Sequence, residues 1–320
     1  MTATDDIVLV TGASGFTGRH LIDRLLCADH SNIVATTRSV VASDLAPKVN
    51  WVSINLTDAD AVDSLIATVR PTRLFHLAGI VSGDLETVYR TNVQVTLNLL
   101  SAVARHATQA RVLCIGSAAE YGTPDEPHQP LCEEARCNPA GSYAVSKFCQ
   151  TQLVTDFAET RHIRAIVARP FNLIGPGIPA HLLVGAILAR MRKTIAKDDE
   201  PTITTGNLEN ARDFLDIRDA VAAYVALLET DCWGQTFNIC SGQPTPIRDV
   251  VDVLLSCCRR PPRLVTDPAL FRRHDPPCVF GSTQKLCRHI NFQPHYRLQD
   301  SLQAAWTTVM KEDSPCASPS

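Results

Sequence analysis

Short runs of β-branched and apolar residues alternate with longer segments of helical periodicity through the first half of the chain. The runs, which we predict to be strands, cover residues 7–10, 33–37, 51–54, 73–77, 111–115 and 163–168. Helical segments lie between them, for example residues 59–69, 91–106 and 143–159. Strands and helices in this order form βαβ units, whose right-handed crossovers build a parallel sheet covered on both faces. The pattern predicts an α/β fold with a doubly wound, Rossmann-type sheet.

The regular alternation of predicted strands and helices ends after Arg169-Pro170, where prolines and glycines interrupt it. We therefore predict a dinucleotide-binding Rossmann domain over residues 1–170. A smaller α/β substrate-binding subdomain is predicted over residues 171–312, interleaved with the first. The Ser/Pro-rich residues 313–320 have no apolar period, and we expect a disordered tail there.

Composition excludes several classes of protein. With 45% hydrophobic residues, 20% charged residues and a net charge of -3, the chain is neither a disordered segment nor a carrier of a large basic surface for nucleic acid. Its longest apolar stretches, such as residues 182–189, are too short to cross a bilayer, and the polar start does not resemble a secretory signal. We expect a cytoplasmic protein that binds neither membrane nor nucleic acid. The 12 cysteines contain no CxxC pair, so we predict no metal site.

The first predicted strand runs into a glycine-rich turn that reads Gly12-Ala13-Ser14-Gly15-Phe16-Thr17-Gly18. Glycines tolerate positive φ angles and let a diphosphate approach the backbone, and the helix that follows offers N–H groups and the positive end of its dipole. This spacing at a first βα turn is typical of a dinucleotide site. A tight structural turn is the alternative, which the position between strand and helix disfavours.

The segment after the second predicted strand indicates which dinucleotide binds. An NAD site usually has an acidic residue there for the ribose 2′-hydroxyl, but this chain reads Ala35-Thr36-Thr37-Arg38-Ser39. Arg38 can pair with a 2′-phosphate, with Arg19 nearby. We therefore predict a preference for NADP(H), with NAD(H) as the alternative if Arg38 is an ordinary solvated cation.

Tyr143 and Lys147 are four residues apart on a predicted helix and so share one face. A cation beside a phenol stabilises the phenolate, so the pair can exchange a proton with a substrate hydroxyl or carbonyl. The spacing occurs by chance on many helices, but it gains weight downstream of a dinucleotide loop.

These motifs resemble those of the short-chain dehydrogenase/reductase superfamily, in its extended branch, the NAD-dependent epimerase/dehydratase family. The resemblance extends over almost the whole chain. Its further landmarks are residues 75–79, Asn92, residues 115–122, and Arg169-Pro170-Phe171-Asn172 with Gly175-Pro176-Gly177. It implies that Ser117 polarises a sugar carbonyl, that Tyr143 is the general acid/base, and that Lys147 holds the nicotinamide ribose and lowers the tyrosine pKa.

The same resemblance implies the remaining site residues. The cofactor contacts would be Gly12, Ser14, Gly15, Phe16, Gly18, Arg38, Asn55, Leu56, Leu77, Ala78, Asn92, Tyr143, Lys147 and Pro170. The substrate contacts would be Ser117, Glu120, Asn172, Arg212, Arg272 and Asp275, with the arginines at a diphosphate. Two departures concern specificity: residues 80–87 carry no basic residue, and Asn55 stands where an aspartate is common.

Within this family, 4,6-dehydratases carry an acidic pair before a Tyr-Gly dipeptide, and here those positions are Ala118 and Ala119. If the segment is extended, the Glu120 side chain points to the side opposite to that of positions 118 and 119, so the acid that elimination needs is missing.

The sequence around residues 206–219 and 238–242 is most similar to reductases of GDP-4-keto-6-deoxy-D-mannose, which implies NADPH-dependent reduction of the C4 ketone to GDP-D-rhamnose. The alternatives are a nucleotide-sugar 4-epimerase with tightly bound NAD and a non-catalytic dinucleotide-binding scaffold. The resemblance also implies a homodimer formed through the helices that contain Asn92 and Tyr143.

Overall fold

The computed structural model describes residues 6–38, 46–123, 129–195, 201–271 and 276–311. A seven-stranded parallel sheet has the order β10-β6-β5-β4-β1-β2-β3. The strands are β1 (Val8–Thr11), β2 (Ile33–Thr37), β3 (Asn50–Ser53), β4 (Arg73–His76), β5 (Arg111–Ile115), β6 (Arg164–Pro170), β7 (Asn172–Ile174), β8 (Thr202–Thr205), β9 (Ala211–Asp216), β10 (Thr236–Ile239), β11 (Pro244–Pro246), β12 (Arg263–Thr266) and β13 (Cys278–Val279). The predicted doubly wound parallel sheet is confirmed.

Helices cover both faces of this sheet. They are α1 (Phe16–Cys27), α2 (Ala59–Val69), α3 (Leu85–Tyr89), α4 (Val95–His106), α5 (Ser142–Arg161), α6 (Leu183–Ile195), α7 (Ile217–Leu227), α8 (Ile247–Ser256), α9 (Gln284–Ile290) and α10 (Leu298–Lys311). Strands β1 and β2 are buried along their whole length because each face meets a helical layer, whereas the edge strand β3 is partly exposed. One layer contains α1 and α7, and the other contains α2, α4 and α5.

The sheet order reverses beside β1, which has β2 on one side and β4 on the other. Loops that follow two such strands diverge and leave a crevice at the carboxyl edge of the sheet. The glycine turn follows β1, and residues 77–79 follow β4. The topology thus brings two sequence motifs together although they are about 65 residues apart.

The region after residue 170 has a core of its own and also completes the main sheet. Strand β9 pairs with β7, β11 and β13, and β8 pairs with β12. Helices α6, α8 and α10 pack around these strands. Strand β10, however, pairs with β6 in the main sheet, and α7 packs on α1. The domain boundary at residue 170 stays a prediction, and the tail at residues 313–320 lies outside the described residues.

Among the helices that the structure describes, none combines the length and the apolar character needed to cross a membrane.

Candidate active site

Two glycines of the first turn are required by close packing. Gly12 has a φ of +67°, and a Cβ there would lie 2.7 Å from the amide nitrogen of Ala78. A Cβ on Gly18 would lie 2.5 Å from the carbonyl oxygen of Gly12. Helix α1 therefore starts directly against the turn, and a side chain at either position would push the helix or the β4 loop away.

Helix α1 begins without a side-chain cap. Its N-cap residue is Gly15, which has no side chain to accept from the N–H groups of the first helical turn. Such an end favours an anionic ligand, because its N–H groups and the helix dipole both attract negative charge. The residues of this turn therefore fit a dinucleotide diphosphate.

A cleft of about 250 Å³ opens beside this turn. Of the predicted cofactor residues, it is lined by Gly12, Ser14, Gly15, Arg38, Asn55, Leu56, Leu77 and Ala78. Arg38 is exposed at the end of β2, and the Asn55 side chain accepts hydrogen bonds from Thr57. The cleft has a cation and no carboxylate among its described lining residues.

A second, larger cleft of about 730 Å³ adjoins the first, and Leu77, Gly79 and Ile80 line both. Of the predicted site residues, it is lined by Phe16, Leu77, Ser117, Tyr143, Lys147, Pro170, Asn172 and Arg212. The fold therefore brings the three predicted catalytic residues to one cleft, although Ser117 follows β5 and the other two lie on α5.

Ser117 is oriented by the turn that follows it. Residues Ala118–Tyr121 form a 3₁₀ turn with Ser117 as its N-cap. The Ser117 Oγ accepts from the Ala119 N–H at 3.2 Å, and the Glu120 Oε1 accepts from the Ser117 N–H at 2.7 Å. This reciprocal capping box fixes both the backbone and the hydroxyl of Ser117.

Tyr143 lies in the first turn of α5 and forms a hydrogen bond with the Ser117 side chain. Burial raises the pKa of Tyr143 above its usual value, Ser117 opposes this effect, and the charge of Glu120 adds to it. The expected lowering of the tyrosine pKa is therefore not found in the protein alone. A phenol with a raised pKa is protonated at neutral pH and can donate its proton.

Lys147 is buried, and its ammonium donates to the Ile115 carbonyl oxygen at 2.8 Å and to the Gln150 Oε1 at 2.9 Å. An ammonium has three donors, so one is left for a ligand at the junction of the two clefts. Burial lowers the pKa of Lys147 to about 8, although the charge of Glu120 and the neighbouring Cys114 thiol oppose this effect. Sequence reasoning missed Gln150, whose spacing of three residues from Lys147 was the available signal.

Asn92 lines neither cleft. It is buried in a π-helical segment, Arg90–Gln94, where its side chain bonds the backbone N–H and C=O of Ile80 and also donates to the Ser146 Oγ. The backbone carbonyl oxygen of Asn92 accepts from the Thr96 hydroxyl at 2.8 Å. Asn92 thus fixes the wall between the clefts at Ile80, and its predicted contact with a cofactor stays a prediction.

Asn172 on β7 and Arg212 on β9 both line the larger cleft, on the side formed by these paired strands, which we call the far wall. The Asn172 Nδ2 donates to the carbonyl oxygen of Asp213 at 2.8 Å. The Asp213 carboxylate is buried and accepts from the backbone N–H groups of Ser241, Gly242 and Gly281. Asp213 therefore ties three segments together behind this wall, a role that sequence reasoning did not assign.

Several predicted residues lie elsewhere. Glu120 is fully buried and lines neither cleft, and its segment is a 3₁₀ turn rather than the extended segment considered from sequence. Gly18 lies in the first turn of α1, packed against Gly12 and Ala13, and lines neither cleft. Arg272 and Asp275 are outside the described residues.

Comparison with known proteins identifies the architecture. Residues 8–240 match the family described as the NAD dependent epimerase/dehydratase family. The chain belongs to this family.

Two curated relatives are similar over most of the chain. GDP-6-deoxy-D-mannose reductase of Pseudomonas aeruginosa is 31% identical, covering 96% of this chain and 99% of the relative. GDP-6-deoxy-D-talose 4-dehydrogenase of Aggregatibacter actinomycetemcomitans is 28% identical, covering 87% and 89%. A solved structure, RMD from Pseudomonas aeruginosa complexed with NADPH, has a TM-score of 0.82 and 29% identity, covering 96% of this chain and 99% of that chain. The resemblance read from the motifs is confirmed.

The chain belongs to a nicotinamide-dinucleotide-dependent family, and the glycine turn that fits a dinucleotide diphosphate lines the smaller cleft. The larger cleft continues from it at Leu77, Gly79 and Ile80 and holds Ser117, Tyr143 and Lys147.

Proposed function

We propose that this protein uses NADPH to reduce the C4 ketone of GDP-4-keto-6-deoxy-D-mannose, which gives GDP-D-rhamnose. The observation that carries the proposal is the lining of the larger cleft beside Ser117 and Tyr143. Ala118 and Ala119 lie there, and neither can supply the acid that an elimination needs. Carbonyl reduction needs only a hydride, a proton and an oxyanion partner, and the site has residues for the last two.

The names of the relatives support a nucleotide-linked 6-deoxy sugar as the substrate class. Both curated relatives are named for GDP-linked 6-deoxy sugars, and both names describe oxidation or reduction. The relative with 31% identity spans nearly all of this chain, including the region that builds the far wall of the larger cleft.

In the proposed reaction the bound dinucleotide supplies the hydride. The Ser117 hydroxyl donates a hydrogen bond to the ketone oxygen, and the Tyr143 phenol donates its proton to the same oxygen as negative charge develops there. Lys147, anchored by Ile115 and Gln150, would use its remaining donor to hold the ribose next to the nicotinamide. Arg212, on the far wall, is placed to bind the substrate diphosphate.

A substrate panel tests the proposal. The 4-keto-6-deoxy sugars linked to GDP, CDP, dTDP and UDP are each offered with NADPH, and loss of NADPH absorbance is followed. We expect turnover with the GDP-linked ketone and a D-rhamnose product by NMR. No turnover across the panel would contradict the reductase function. A 6-deoxytalose product would contradict the assigned face of attack, and interconversion of sugars without net NADPH loss would indicate an epimerase.

The preference for NADPH rests on Arg38, the cation at the end of β2 in the smaller cleft. In Arg38→Ala the 2′-phosphate loses a charge-assisted hydrogen bond, so we expect NADPH affinity to fall about 10- to 100-fold. NADH has no such phosphate, and its affinity serves as the internal control. Fluorescence titration of both cofactors on both proteins makes the measurement, and an equal preference in wild type and variant would overturn the assignment.

We also propose that the protein forms a homodimer through α5 and the helical run that contains Asn92, in which α3, the segment Arg90–Gln94 and α4 follow one another and each packs beside α5. Their outer face exposes Leu85, Tyr89 and Val145, with Leu85 66% exposed. A second copy related by a two-fold axis would bury this apolar face against itself.

A further inference from the structure

Glu120 is the most deeply buried acidic side chain next to the catalytic residues, yet it does not reach the larger cleft. Its exposure is 0%, and its two oxygens have different partners. Oε1 accepts from the Ser117 N–H at 2.7 Å, and Oε2 accepts from the Arg169 Nη2 at 2.8 Å. Arg169 is 3% exposed and lies over the Tyr121 ring at 4.6 Å. The ion pair therefore lies directly behind the segment that carries Ser117.

Stability alone does not account for charges in this position. Removing an arginine and a carboxylate from water costs several kcal/mol per ion, and well-packed apolar residues often serve equally well. The neighbouring positions on the cleft side, Ala118 and Ala119, are small and apolar. What the carboxylate supplies, and an apolar side chain cannot, is an acceptor for the Ser117 N–H.

We propose that Glu120, held by Arg169, is a positioning residue that fixes Ser117 for the reduction, an inference that rests on the proposed function. The fixed backbone places the Ser117 Oγ where it accepts from the Ala119 N–H at 3.2 Å. The Ala119 N–H uses one lone pair of the oxygen and orients the hydroxyl beside Tyr143, where its proton can be donated to the ketone oxygen. Arg169 keeps the carboxylate from rotating away from the Ser117 N–H.

The charge of Glu120, like its hydrogen bond to Ser117, favours the proposed reduction. It raises the pKa of both Tyr143 and Lys147, which favours the protonated forms that reduction requires. The other titratable group that shifts the pKa of this pair is Cys114, which raises the pKa of Lys147. Lys147 in turn lowers the pKa of His76, and Tyr143 raises the pKa of Tyr224. Glu120 is thus the acidic group that supports Tyr143 as a proton donor.

Hydrogen exchange tests the contact without any substrate. In the double variant Glu120→Leu with Arg169→Met both charges are removed together, so neither is left buried without its partner. We expect exchange of the Ser117 amide to accelerate at least tenfold. The Gly116 amide donates instead to the Ala168 carbonyl oxygen at 2.7 Å and should stay protected, which makes it the internal control. Unchanged Ser117 protection, or equal loss at both amides, would overturn the proposal.

Kinetics test the consequence with whichever substrate the wild type reduces. We expect the double variant to keep its KM and to lose about 10- to 100-fold in kcat, because the carbonyl is no longer met by a fixed donor. In a Ser117→Ala background the same two substitutions should lower kcat by several-fold less than in the wild type, because the part of their effect that acts through Ser117 is already lost. An equal loss in both backgrounds would contradict the role. If the wild type reduces no panel substrate, the proposed function fails while the exchange result still decides the contact.

Discussion

Tyr143 and Lys147 share one helical face, and burial shifts their pKa values in opposite directions. Burial raises the pKa of the Tyr143 phenol and lowers the pKa of the Lys147 ammonium to about 8. At neutral pH both groups therefore carry their protons. Above about pH 8 Lys147 loses its charge first, so we expect the rate of the proposed reduction to fall there before the Tyr143 phenol titrates.

Replacing Tyr143 by phenylalanine removes the proton donor and keeps the ring. We expect kcat to fall about 100- to 10,000-fold, the range for loss of a general acid, while NADPH affinity and Tm stay near the wild-type values. Tyr89→Phe, on the outer face of α3, is the matched control and should retain full activity. Steady-state kinetics and cofactor titration make the measurement, and largely unchanged turnover in Tyr143→Phe would contradict the assignment of the acid.

At the residue scale, the sequence could predict the groups whose spacing is local. Tyr143 and Lys147 are one helical turn apart, and the Gly12–Gly18 spacing is visible in a single turn. The ion pair of Glu120 and Arg169 could not be predicted in this way, because the two residues are 49 positions apart and meet only when β5 pairs with β6. The burial of Glu120 depends on that same pairing.

Strand β4 and helix α4 are joined by a buried histidine. The Thr11 hydroxyl and the His76 Nδ1 are 2.8 Å apart, and the His76 Nε2 and the Thr96 Oγ1 are 2.9 Å apart. Because the Thr96 hydroxyl donates to the Asn92 carbonyl oxygen, it can only accept from His76, so Nε2 carries the proton. Burial, aided by the charge of Lys147, lowers the pKa of His76 to about 3 and keeps the ring neutral.

This network gives stability a pH dependence. Below about pH 6.5 the unfolded chain binds a proton at His76 that the folded protein does not, so the free energy of unfolding falls as the pH drops from about 6.5 toward 3. Above pH 6.5 the effect is absent. In His76→Gln we expect a less stable protein with a shallower slope over this range, measured by urea unfolding at several pH values. An identical slope would contradict the neutral, buried histidine.

At the element scale, regular segments could be predicted with accurate bounds and irregular ones could not. The helix Ala59–Val69 and the strand Arg111–Ile115 have the bounds expected from periodicity. The helix expected from residue 91 instead follows α3 and the π-helical segment Arg90–Gln94, where the Asn92 side chain bonds Ile80. That irregularity depends on a tertiary contact, which no local pattern contains.

For the whole molecule, the proposed dimer makes a measurable prediction. The wild type should have twice the 34.9 kDa chain mass by light scattering. Leu85→Glu combined with Val145→Glu places charges on the outer face of α3 and α5 and should yield a monomer, because like charges would meet across the two-fold axis. Leu270→Glu, an exposed apolar residue elsewhere, is the control and should leave the mass unchanged. A monomeric wild type would contradict the proposal.

The place of β10 in the main sheet has a consequence for how the chain is made. Strand β6 ends at Pro170, but its neighbour β10 is not complete until Ile239 has left the ribosome. Until then the nascent chain carries an apolar strand with an unpaired edge, the kind of surface that binds other chains. A fragment ending at residue 170 would contain Ser117, Tyr143 and Lys147 and still lack β10, the strand that pairs with β6 at the edge of their sheet. The residues proposed to be catalytic are encoded early, and their scaffold is completed late.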